Sequence, residues 1–123
     1  MADKTKRILV AEDDRPISKV LTLKLQHSGY EVVQAFDGEQ AIDLLFKENF
    51  DLVLLDLIMP KKNGFDVLRE LKEKGKMVNV IVTSNLSQEE DKKTVMELGA
   101  KDYFVKSNTP LAKIVEYVEQ MLK

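Results

Sequence analysis

The sequence predicts an α/β domain, a parallel sheet covered by helices on both faces and therefore doubly wound. Three observations lead there. Five short apolar runs occur, at Ile8–Ala11, Val32–Ala35 (broken only by Gln34), Leu52–Leu55, Val80–Val82 and Tyr103–Val105, and runs of this kind suit strands buried on both faces of a sheet. Segments with apolar residues at helical spacing separate them. The chain has 123 residues, of which 44% are hydrophobic and 33% charged, the size and composition of one folded domain around one core. A single domain over residues 1–123 is expected.

The elements follow in order. The first run leads into Glu12-Asp13-Asp14, and Asp14 reads as the N-cap of a helix from about Arg15 to His27. That helix turns Ile17, Val20, Leu21 and Leu25 inward and stops at Gly29. After the second run, Asp37 can cap a helix carrying Gln40, Ala41, Leu44 and Leu45. The third run ends at Asp56, and the third helix starts near Asn63-Gly64 with Phe65, Leu68 and Leu71 inward. The fourth run ends in Thr83-Ser84. Ser87 with Glu90 reads as a capping box opening the fourth helix, which Gly99 closes. The fifth run ends in Lys106. Thr109 reads as the N-cap of the last helix, with Pro110 at its first position and Leu111, Ile114, Val115, Val118, Met121 and Leu122 along one face.

Composition excludes several chemistries. There is no cysteine, so disulfides, thiolate metal sites and cysteine nucleophiles are out. One histidine, His27, cannot build a multi-histidine metal site. A net charge of −2 argues against direct nucleic-acid binding. No apolar run approaches membrane-spanning length, and the N-terminus lacks the apolar stretch of a signal peptide, so no membrane association and a cytoplasmic location are expected.

The informative residues lie where the strands end. Four strands deliver Glu12-Asp13-Asp14, Asp56, Thr83-Ser84 and Lys106 to one edge of the sheet, the edge where ligands bind in doubly wound folds. Carboxylates gathered in a poorly hydrated cleft repel and need a cation. Oxygen-only ligands suit a hard divalent ion, Mg²⁺ above all. With an ammonium and hydroxyls added, the edge has what a transferring phosphoryl group requires. A carboxylate can itself be the nucleophile, and Asp56 is the natural candidate. Asp14 reads as a cap rather than a ligand. Tyr103 by itself reads as a half-buried strand residue.

At these residues the sequence closely resembles the receiver domain of bacterial two-component response regulators. The stretches that carry the resemblance are Arg7-Ile-Leu-Val-Ala-Glu-Asp-Asp-Arg-Pro-Ile17, Asp51-Leu-Val-Leu-Leu-Asp-Leu-Ile-Met-Pro60 followed by Asn63-Gly64, Val80-Ile-Val-Thr-Ser84, and Gly99-Ala-Lys-Asp-Tyr-Phe-Val-Lys106. Together they span essentially the whole chain. The resemblance implies a flavodoxin-like five-stranded parallel sheet in the order 2-1-3-4-5 with five helices. It implies Asp56 as phosphoacceptor and Asp13 as a direct Mg²⁺ ligand. Glu12 would act on the ion through water, and the carbonyl of Ile58 would complete the protein's share of the metal shell. Thr83 would bond the phosphoryl group, and Lys106 would pair with that group or, beforehand, with Asp56. Thr83 and Tyr103 would form the switch. The partners implied are a histidine kinase or histidine phosphotransfer protein upstream and an unidentified protein downstream. No output domain is expected, and the domain would act as a monomer or weak dimer. The chain departs from the family where Ser107 follows Lys106 in place of proline, which makes a trans peptide the expectation there. Ser84 stands where alanine is usual.

Two other classes fit less well. Many Mg²⁺-dependent phosphohydrolases carry a second acid two residues after the nucleophile, where this chain has Ile58. A flavin phosphate site needs a donor-rich loop after the first strand, where this chain has three acids. No G-x-G-x-x-G or P-loop spacing occurs.

Overall fold

All five apolar runs become strands, each bounded by its own sheet register. In the computed structural model, which describes residues 5–123, these are β1 (Arg7–Ala11), β2 (Glu31–Ala35), β3 (Leu52–Leu55), β4 (Asn79–Ser84) and β5 (Asp102–Val105). The reading of the N-terminus as free of an apolar leader covers residues 1–4, which lie outside the described residues. The strands form one parallel sheet in the order β2-β1-β3-β4-β5, the doubly wound order expected. The α-helices are α1 (Arg15–His27), α2 (Gly38–Lys47), α3 (Gly64–Glu73), α4 (Glu89–Glu97) and α5 (Leu111–Met121), with a single 3-10 turn at Lys106–Asn108.

Alternation along the strands sorts their side chains into two cores. Ile8, Val10, Leu52, Leu54 and Ile81 pack with Leu21 and Leu25 of α1 and Ile114, Val115 and Val118 of α5. Leu9, Ala11, Val53, Leu55, Val80 and Val82 pack with α2, α3 and α4 on the other face. Strands β1 and β3 are fully buried apart from Arg7, whereas the edge strands β2 and β5 are only partly covered.

Three helix starts match their sequence signals. Asp14 accepts from the Ile17 N–H at 3.1 Å and Asp37 from the Gln40 N–H at 2.8 Å. Asn63 and Asp66 form a reciprocal capping box. Two others differ. The Ser87–Glu90 box does not form: α4 begins at Glu89 after Gln88, with no side-chain cap bond. Thr109 is not the cap of α5 either. The 3-10 turn at Lys106–Asn108 carries the chain past Thr109, and the Pro110 carbonyl accepts from the Ile114 N–H at 3.3 Å, which leaves Pro110 as the cap and Leu111 as the first helical residue. Val20 also differs. It is 41% exposed, because α1 needs only Leu21, Leu25 and their neighbours to cover the sheet. No helix among the described residues is long and apolar enough to cross a membrane.

Candidate functional site

The register of the sheet brings the polar strand ends to one level. Ala11 pairs with Leu55 and Leu55 with Val82, so Glu12, Asp56 and Thr83 follow side by side. The backbone continues the ladder for one more step: the Glu12 N–H donates to the Ala35 carbonyl at 3.0 Å and the Asp56 N–H to the Ala11 carbonyl at 2.9 Å. Glu12, Asp56, Thr83 and Ser84 are all buried. They are polar groups placed where the apolar runs stop and the helices have not yet begun.

Carboxylate oxygens of Glu12, Asp13 and Asp56 lie within 4.8 Å of one another, the first and last buried and Asp13 exposed. Lys106 reaches across from the end of β5. Its Nζ donates to Glu12 Oε1 at 2.5 Å and to Asp56 Oδ2 at 3.0 Å. It does so without a cis bond at Lys106–Ser107, since none of the described peptide bonds is cis. The second Asp56 oxygen, Oδ1, accepts from the Ile58 N–H at 3.2 Å. Glu12 Oε2 accepts from the Asp14 N–H at 3.1 Å.

Electrostatics follow from this crowding. Burial pushes the Glu12 carboxyl up to about 7; the charge of Asp56 adds to the rise, and the Lys106 ammonium opposes it. For Lys106, burial works against the charged form, but its bonds and attraction to Glu12 and Asp56 outweigh that and hold the ammonium above its ordinary range. Two of the three carboxylates share the Lys106 ammonium. Every donor nearby is an oxygen, two are buried, and the third opens to solvent. That donor set fits a hard divalent cation that keeps part of its water shell.

The loop after β3 carries the rest of the site. Leu57 and Met59 turn into the core, while Ile58 between them is 56% exposed. The Gly64 N–H donates to the Leu57 carbonyl at 3.0 Å, and a Cβ on Gly64 would stand 2.5 Å from the Asp56 carbonyl oxygen. Only glycine allows the start of α3 to approach the Asp56 backbone this closely.

Tyr103 is buried rather than half-buried. It is 8% exposed and packs in the core shared by α2, α3 and α4. Its phenol donates to the carbonyl of Leu86 in the β4–α4 loop. Burial, reinforced by Asp91, pushes that phenol's pKa up. Ser84, fully buried, accepts from the Leu86 N–H at 3.3 Å, so Leu86 is held through both backbone groups. The helix beyond it is weakly rooted, because α4 buries only Val95.

Thus Glu12, Asp13, Asp56 and Lys106 come together, with Thr83 beside Asp56 on the neighbouring strand and Ile58 on the loop above. The sequence alone did not reveal the Lys106–Glu12 bond, the tie at Leu86 or the Gly64 approach. The first two join segments well separated in the chain, the third closes a single loop, and only the glycine carried a local signal.

Residues 8–119 match the response regulator receiver domain family. Among solved structures, the chain is similar to a response regulator protein from Thermotoga maritima in complex with Mg²⁺ and beryllofluoride, at 34% identity and a TM-score of 0.82, covering 95% of this chain and 99% of that one. A CheX–CheY–beryllofluoride–Mg²⁺ complex from Borrelia burgdorferi matches at 30% identity and TM-score 0.86, covering 96% of this chain and 90% of that one. A Francisella response regulator receiver domain matches at 28% identity and TM-score 0.87, covering 97% and 100%.

Proposed function

Because the chain belongs to the response regulator receiver domain family, we propose that it is a phosphoacceptor signalling domain, in which Asp56 takes a phosphoryl group from an external phosphohistidine. The observation that carries this reading is the juxtaposition of Glu12, Asp13 and Asp56 with Lys106 at the carboxyl edge of the sheet. Relatives of this fold in complexes with Mg²⁺ and beryllofluoride support it.

Asp13 and Asp56, with Glu12 through water and the Ile58 carbonyl, are the residues that would hold Mg²⁺. The ion supplies charge neutralisation for the equatorial phosphoryl oxygens. The chain's own groups do the rest. Asp56 sits at a rigid strand end, so its carboxylate is already oriented toward the open edge. It attacks phosphorus as the bond from phosphorus to the donor's imidazole nitrogen breaks, the electron pair staying on that nitrogen, and a donor protonated at its other ring nitrogen leaves as neutral imidazole. Lys106, already on Asp56 Oδ2 at 3.0 Å, has only to pivot to follow the charge onto the phosphoryl oxygens. The Thr83 hydroxyl, one strand over at the same level, is the next donor they meet. The donor is external, since His27 is the chain's one histidine and lies exposed at the end of α1.

Phosphorylation replaces the single carboxylate charge of Asp56 by a phosphoryl group that carries close to two, and adds new acceptor oxygens. Drawing Thr83 toward them pulls on β4 immediately before Ser84, whose hydroxyl holds Leu86. Tyr103 holds the same residue from β5. The face formed by α4, β5 and α5 is then the readout surface for a downstream protein, and α4 with one buried side chain is the element able to repack. The whole of residues 1–123 acts as this single domain, in the cytoplasm, with slow hydrolysis of its own acyl phosphate as its only turnover.

The test is incubation with Mg²⁺ and acetyl phosphate followed by intact mass. One phosphoryl group should appear on the wild type and none on Asp56→Asn. Equal labelling of both proteins overturns the assignment. Capture of partners with the beryllofluoride-treated protein then identifies what the switched face binds.

A further inference from the structure

We infer that the N-terminus of α2 is a positioning element for the site: Asp37 and Gly38 hold the β3–α3 loop from outside and thereby aim the Ile58 carbonyl. The inference rests on the reading of that carbonyl as part of the metal shell.

The loop runs from Asp56 to Gly64 and is fastened at both ends, by the Asp56 ladder bond to Ala11 and by the Gly64 bond to Leu57. Between them Ile58 is exposed, and its N–H bonds only the neighbouring Asp56 carboxylate. Leu57 and Met59 anchor the loop in the core on either side of Ile58, and α2 holds the stretch beyond Met59. The Gly38 N–H points at the Pro60 carbonyl at 3.4 Å. A Cβ on Gly38 would lie 1.9 Å from the Lys62 carbonyl oxygen and 2.4 Å from its carbonyl carbon. These are backbone atoms, so no rotamer change relieves the clash; the loop itself must retreat.

Asp37 adds a second hold. It is 7% exposed and uses its two oxygens separately. Oδ1 caps α2 through the Gln40 N–H, and Oδ2 faces Lys61 Nζ at 3.8 Å. Lys61 has φ 68, the one non-glycine residue with positive φ among those described. A lysine kept in the left-handed region is a strained residue that its surroundings must over-determine. The surroundings here are Gly38 on one side and Asp37 on the other. Three residues upstream of Lys61 is Ile58. A loop tethered at its middle by close backbone contact transmits any displacement of residues 60–62 to that carbonyl. Gly38 and Asp37 touch neither the carboxylates nor the reacting atoms, so they are positioning residues.

The experiment compares Mg²⁺ affinity, by isothermal titration, with stability in urea without Mg²⁺, for wild type, Gly38→Ala, Asp37→Asn and Lys61→Gly. Asp37→Asn keeps a good cap and loses only the charge facing Lys61; Lys61→Gly keeps the left-handed backbone without strain. Gly38→Ala should weaken Mg²⁺ binding about tenfold, equivalent to about 1.4 kcal/mol, and Asp37→Asn and Lys61→Gly, which remove the same ion pair from either side, about threefold each. A Gly38→Ala protein less stable in urea but with wild-type Mg²⁺ affinity overturns the inference, because a merely structural glycine behaves that way. If Gly38→Ala does not fold, an Asp37→Asn protein with unchanged Mg²⁺ affinity overturns it. A wild type that binds no Mg²⁺ overturns the metal-site reading and this inference with it.

Discussion

Lys106 Nζ stands 2.5 Å from Glu12 Oε1 and 3.0 Å from Asp56 Oδ2, so one ammonium at the end of β5 bridges carboxylates at the ends of β1 and β3. Strands β1 and β5 are not neighbours in the sheet. The bridge therefore ties its outer part across two intervening strands, and it holds the charge of the site in check.

Replacing Lys106 by methionine keeps the stem and removes the charge. At pH 8 two buried carboxylates are then left without their cation. Breaking a buried pair costs about 3–5 kcal/mol. Here the lysine is partly exposed and Glu12 can take a proton, so about 2 kcal/mol is expected at pH 8 and less than half of that at pH 5, where Glu12 is already protonated. Urea unfolding at the two pH values measures this. An equal loss at both would show that packing of the stem, not charge, is what Lys106 contributes.

Glu12 makes the wild type itself pH-dependent. Its carboxyl, pushed up to about 7 by burial, holds a proton in the folded state that the unfolded chain releases near pH 4.5. Between those values the folded state binds more protons than the unfolded one, so stability falls as pH rises, by at most about 1.4 kcal/mol per pH unit. Above pH 7 this contribution is flat. Glu12→Gln should abolish the slope, and urea midpoints from pH 5 to 8 would reveal it. The same proton must leave before Glu12 can assist a cation. Mg²⁺ affinity of the wild type should therefore climb through pH 7 with proton release, detectable by titration in buffers of different ionisation heat.

How much of this was legible in the sequence depends on the range of the interaction. The strands were, because unbroken apolar runs such as Leu52–Leu55 have no alternative to a doubly covered sheet. The starts of α1, α2 and α3 were, because Asp14, Asp37 and Asn63 each bond a backbone N–H three residues on. The starts of α4 and α5 were not. Ser87 and Thr109 carry good capping chemistry, but their backbones are placed by distant events: the grip of Tyr103 and Ser84 on Leu86 before α4, and the 3-10 turn that follows Lys106 before α5. The same divide runs through the site. Glu12, Asp13, Asp56, Thr83 and Lys106 stand out because strand ends collect at one edge, whereas the contact of Gly38 with Lys62 needs a helix and a loop brought together by the fold.

The grip on Leu86 can be taken apart. Tyr103→Phe removes the phenol's bond to the Leu86 carbonyl, and Ser84→Ala removes the acceptor for its N–H. Each should cost about 1 kcal/mol. Both act on one residue, so the double variant should lose less than the sum, with a coupling of about 0.5 kcal/mol or more. Amide exchange at Leu86 and Ser87 should quicken in each single variant while that of β1 and β3 stays put. Strict additivity would mean that the two bonds do not form one latch.

On the proposed reading, in which Asp56 carries an acyl phosphate, Ile58 is expected to govern its lifetime. It is 56% exposed, two residues beyond Asp56, and its own N–H is anchored on Asp56 Oδ1. Its side chain is therefore exposed close to the site, and hydrolysis of an aspartyl phosphate requires a water in line behind phosphorus. An apolar group there offers that water no hydrogen bond and occupies part of its approach. Asparagine at the same position is smaller, and its amide can hold and orient a water. Ile58→Asn should shorten the half-life of the phosphorylated protein by about tenfold, equivalent to about 1.4 kcal/mol off the barrier. The fraction labelled by acetyl phosphate at early times should stay near wild type, because Asp56, Lys106 and the carboxylates are untouched. Intact mass followed over time after removal of the donor reads the decay directly. Unchanged decay with normal labelling would exclude Ile58 as a barrier to water.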